Sequence, residues 1–202
     1  MIELPSGLPA ELVPLSWLVG VWEGSGVLDY AIGDEKVTRE FGQRVSFSHD
    51  GLPHLNYSSY TWLFPEPGGD EPKPLATETG YWRLARPLTD ADPGPAMLPG
   101  VGERVFDTAE AVETLRNADG GFDVEVSLVH PGGVSELYLG QVKGPRIDLA
   151  TDAVMRTRGA KNYSAATRLY GLVDNHLLWA WDIAALGQDL RTHASGRLAK
   201  ME

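Results

Sequence analysis

Apolar and polar side chains alternate one for one over much of this chain. Phe122, Val124, Val126 and Leu128 are interleaved with Asp123, Glu125 and Ser127. This period of two predicts a strand with one buried and one wet face. His130-Pro131-Gly132-Gly133 supplies a turn, and 134–142 reads as the returning strand. Gly144-Pro145 and Asp174-Asn175 mark two more hairpin turns. Further strands are expected at 19–30, 37–49, 55–65, 77–85, 146–151, 162–173, 176–185 and 189–199, which makes about ten. Helical spacing is confined to 8–18, where Leu12, Leu15 and Leu18 share a face and Pro14 limits the helix to a turn or two.

Many short strands joined by tight turns, with no helices between them, are expected to form an all-β fold. A closed antiparallel up-and-down barrel of about ten strands, with a short N-terminal helix, satisfies the pattern and removes exposed sheet edges. A barrel of that size leaves room for an internal ligand. Two segments interrupt the regularity. Residues 65–75 are a Pro/Gly-rich loop, and 86–120 reads as an insertion at a barrel end, too poor in apolar residues to form a core of its own. The expectation is therefore a single domain over 1–202.

Composition narrows the function. The 28 acidic against 17 basic residues give a net charge of −11, which opposes nucleic acid and anionic membrane as partners. With no cysteine, disulfides, thiolate metal sites and cysteine nucleophiles are excluded. No signal segment and no run of about 18 apolar residues occurs, so a cytoplasmic location is expected. Neither a GxSxG elbow nor a phosphate-binding glycine loop is present, and no pair of carboxylates stands out by spacing.

Four features could carry chemistry. Gly20, Trp22, Gly24 and Gly26 alternate on one strand; this admits either a sharp barrel bend with Trp22 plugging the floor or the close approach of a flat ligand. Of five histidines, His49, His54, His130 and His176 lie at turns and read as solvated. His193 instead lies inside the last strand beside Ala194, Ser195 and Gly196. That suits either a ring projecting into a cavity as an iron ligand or a satisfied core histidine. Lys161 opens a strand with small residues at 165 and 166, as a cavity-rim cation or a solvated surface lysine. Aromatic pairs at Tyr60 and Trp62, Tyr81 and Trp82, and Trp179 and Trp181 either line a ligand site or fill a core.

Taken in order, these pieces resemble the nitrobindin family, a branch of the lipocalin and fatty-acid-binding-protein-like barrels. The motifs are Gly20-x-Trp22-x-Gly24-x-Gly26, Glu78-Thr79-Gly80-Tyr81-Trp82-Arg83, the hairpin from His130 to Glu136, Ala160-Lys161, and Gly187-Gln188-Asp189-Leu190-Arg191-Thr192-His193. The resemblance covers the chain outside 65–75 and 86–120. It implies a ten-stranded barrel binding one ferric haem b per chain, with His193 as axial ligand and catalytic residue. Lys161 would lie near a propionate, and Gly20, Trp22, Gly24, Gly26 and Ile32 around the cofactor. It also implies isomerisation of peroxynitrite to nitrate, binding of nitric oxide, and a homodimer as one assembly open to the chain. One departure is that Tyr30-Ala31-Ile32-Gly33 replaces the family's Tyr-Pro-Thr-Ile, so Ile32 stands for its threonine. The alternatives are a non-enzymatic carrier of a hydrophobic ligand such as a fatty acid, clamped by Lys161, Arg168 or Arg197, and a barrel that has lost its ligand.

Overall fold

The computed structural model describes residues 7–32, 35–65, 68–185 and 191–202. Among them ten strands form one closed antiparallel barrel, and β10 returns to pair with β1. They are β1 (Gly20–Ile32), β2 (Glu35–Ser48), β3 (Leu55–Leu63), β4 (Lys73–Leu84), β5 (Phe122–His130), β6 (Val134–Lys143), β7 (Arg146–Arg156), β8 (Tyr163–Val173), β9 (His176–Ala185) and β10 (Arg191–Lys200). Each pairs with its sequence neighbours, the up-and-down order that the turns predict.

Three boundaries differ from the sequence pattern. The N-terminal helix is a 3-10 turn, Ala10–Leu18, with Pro14 inside it. Three residues per turn bring Leu12, Leu15 and Leu18 into line, and all three are fully buried. β4 starts at Lys73, inside the expected loop. Pro74 is accommodated opposite Trp62, where the β3–β4 register shifts. β7 continues to Arg156, because 153–156 pair with 134–137 of β6 although their side chains show no clean alternation.

One end of the barrel is plugged. Leu12, Leu15 and Leu18 join Trp22, Phe47, Trp82, Ile147, Leu177 and Leu198 in a single buried cluster. Trp22 closes the seam between turn and barrel, its indole N–H donating to the Leu18 carbonyl at 2.7 Å. Residues between β4 and β5 wrap this same region. They carry α1 (Ala109–Glu113), capped by the Thr108 hydroxyl, which accepts from the Ala111 N–H. A buried guanidinium fastens them: Arg86 donates to Glu11 at 2.5 and 3.0 Å and to Asp92 at 2.7 and 2.8 Å.

Candidate functional site

The opposite end opens into a cavity of about 620 Å³, and His193, Lys161, Tyr30 and Trp181 are among the residues lining it. His193 reaches it through an irregularity in β10. Thr192 pairs with Asp182 and Ala194 with Trp181 of β9, which leaves His193 as an extra residue between them. In a regular strand neighbouring side chains point to opposite faces. Here both His193 and Ala194 line the cavity, and the bulge is what allows it. The imidazole is flanked by two rings, Tyr30 at 6.1 Å and Trp181 edge-on at 5.9 Å.

The structure separates the other candidates. Lys161 is exposed, in the loop before β8 instead of at the start of the strand, and it also lines the cavity. Gly20, Trp22, Gly24 and Gly26 do not line it; they build the β1–β10 seam and the plugged end. A side chain at Gly26 would run into the Phe41 ring and the Ser195 carbonyl, and Gly20 has a positive φ of 131°. These glycines therefore serve the backbone. The Ile32 side chain and the Gly187, Gln188 and Leu190 positions lie outside the described residues.

Beneath His193 lies a polar network that spacing alone does not disclose. Arg168, 4% exposed, donates to both oxygens of Glu78 at 2.7 and 2.8 Å and through Nε to the Tyr138 hydroxyl at 3.1 Å. Tyr57 donates to Glu78 at 2.5 Å. Glu136, buried on β6, accepts from the hydroxyls of Tyr138 and Tyr163 and lies 2.5 Å from Nε2 of His130. His130 is thus a member of the network, not the solvated turn residue its Pro-Gly-Gly neighbourhood suggests. Burial works to raise the Glu78 carboxyl pKa. The Arg168 charge and hydrogen bonds, helped by His130 and Tyr57, more than offset it and bring it from 4.5 to about 2. Burial likewise opposes ionisation of Glu136, and its bonds from His130, Tyr138 and Tyr163 with the Arg168 charge hold its pKa low. Trp181 ties network and histidine together: the Arg168 guanidinium lies 4.3 Å from its ring and the His130 ring stacks at 6.5 Å.

Residues 11–200 match the family model of the THAP4-like, heme-binding β-barrel domain. The chain belongs to this family. Proteins similar to it include the peroxynitrite isomerase of Clavibacter michiganensis subsp. michiganensis, 75% identical with both chains covered in full. The peroxynitrite isomerase of Leifsonia xyli subsp. xyli is 70% identical, again over the whole of both. Among solved structures, Rv2717c from M. tuberculosis superposes with a TM-score of 0.68 at 26% identity, over 99% of this chain and 100% of that one. The nitrobindin resemblance read from the motifs is therefore correct at the level of the family, and so is the barrel it implied. Among the described residues no helix of this haem-binding barrel is long and apolar enough to cross a membrane.

The residues present suit a haem. The cavity has the volume of a small-molecule site, with flat aromatic walls at Tyr30, Phe41, Trp179 and Trp181 and an imidazole held between two of them. Among the described residues no group of three His, Asp or Glu could hold a bare metal ion. A single histidine is a sufficient protein ligand when a porphyrin supplies the rest.

Proposed function

We propose that this chain is a haem-dependent peroxynitrite isomerase in which His193 ligates one ferric haem b at the open end of the barrel. The observation that carries the reading is the β10 bulge, which turns His193 into the cavity. The relatives at 70 and 75% identity over their full length are peroxynitrite isomerases, which supports the activity. Ferric haem bound there would supply a Lewis-acidic iron for the isomerisation of peroxynitrite to nitrate.

The protein's part is holding and shielding. His193 presents an imidazole nitrogen, and Tyr30 and Trp181 restrict its ring. Lys161 at the rim complements a propionate. Leu28, Phe41, Leu63 and Leu75 line part of the cavity with hydrocarbon, which limits the access of water there. A haem held there would also supply an iron able to take nitric oxide.

Titration with hemin tests the assignment. The parent should give a saturable Soret shift and His193→Ala should lose it, together with acceleration of peroxynitrite decay. Equal spectra for both proteins would remove His193 as the ligand.

A further inference from the structure

The Arg168 guanidinium faces the cavity with the equipment for binding a free carboxylate. Its two terminal nitrogens form a fork, the geometry that recognises a carboxylate in two parallel bonds. The Tyr57 hydroxyl adds a third donor to the same group. All these side chains line the cavity wall, yet the carboxylate in the fork comes from the chain itself, from Glu78 on β4, ninety residues away in sequence. Arg168 has nothing left over: Nε is engaged by Tyr138, and Nη1 also approaches the Tyr170 hydroxyl at 3.4 Å.

We propose that Arg168 and Tyr57 form a carboxylate-binding site that Glu78 occupies as a built-in ligand, and that this occupation denies the cavity to fatty acids and other free carboxylates. On this proposal, a barrel with an apolar cavity and a buried cation offers no open clamp to a fatty acid, because Glu78 already closes it. An entering carboxylate has to displace Glu78, which would leave that carboxylate buried without its partner. Glu136 does not fill the fork, being 3.7 Å from Nη2 and already bonded by Tyr138, Tyr163 and His130. The inference is independent of which residue ligates haem.

Replacing Glu78 by alanine removes a CH2–COO⁻ unit, the size of acetate, and leaves Arg168 and Tyr57 in place. Thermal unfolding of Glu78→Ala should be followed at pH 7 in sodium acetate and in sodium chloride of equal ionic strength. The variant should be destabilised in chloride and its Tm should climb with each tenfold step in acetate, as a ligand bound to the folded state requires. The parent, and Glu78→Gln, in which the amide still fills the space, should show no difference between the salts. Calorimetric titration with decanoate should give saturable binding to Glu78→Ala and none to the parent. Equal Tm values for Glu78→Ala in the two salts, unfolding in both, or decanoate binding to the parent would each overturn the proposal.

Discussion

Glu78 and Arg168 show how much a single pair can control in a barrel interior. The Glu78 carboxyl ionises with a pKa of about 2 in the folded protein against 4.5 for the free group. A depressed acid stabilises the fold fully above its unfolded value and loses that contribution as pH falls through its folded one. Stability of the parent should therefore drop between pH 4.5 and 2 by an amount on the order of a few kcal/mol. Glu78→Gln should be less stable at pH 7 and flatter through that window, read from Tm against pH. Parallel curves would show that Glu78 does not control the acid limb. The pair was only half legible in the chain: Glu78 stands in a recognisable motif, but nothing local says that it meets Arg168. His193 stood out in the chain as the histidine expected inside a strand among small residues, while its role as a ligand came only from the family resemblance.

At the scale of elements, two strands decide the site. β10 delivers His193 through its bulge, and β1 closes the barrel by lying tightly against it. Gly26 faces Gly196 across that seam, with Phe41 packed over its position. Gly26→Leu should force Phe41 aside and destabilise by about 1–3 kcal/mol, measured by urea unfolding. An unchanged midpoint would show the seam to be slack. The 3-10 turn is the other structural device. Leu15→Ala should cost about 2–5 kcal/mol, because the side chain is fully buried beneath the plugged end. The glycine motif was visible as a motif, but its role was open. Only the distances to Phe41 and Ser195 show that it serves closure and lies away from the cavity.

For the whole molecule, charge and ligand binding set what can be measured. A net charge of −11 repels an anionic substrate before it reaches the mouth. The second-order rate constant of the haem-loaded protein with peroxynitrite should rise between low salt and ~0.15 M ionic strength, where the Debye length falls to about 8 Å. A falling rate would show that local cations at the mouth, Lys161 among them, outweigh the global field. Haem held through His193 should raise Tm in proportion to the logarithm of free hemin concentration, and His193→Ala should lose that slope.

The architecture follows from local information. Period-two alternation shows which side chains face inward in the regular strands such as β5, and the turn residues keep successive strands adjacent, so an antiparallel meander of about ten strands can be read along the chain. The motifs likewise carried the family. What tertiary structure decided lies where local rules do not reach. Alternation assigns 193 and 194 to opposite faces, and a bulge set by pairing with β9 puts both inside. His130 and Glu136 meet across the β5–β6 hairpin, whereas Glu78 on β4 and Arg168 on β8 are four strands apart, and only the curvature of the closed sheet brings them within hydrogen-bonding range. Pairing between distant segments depends on which strands become neighbours around the ring, a property of the closed sheet that no short stretch of sequence contains.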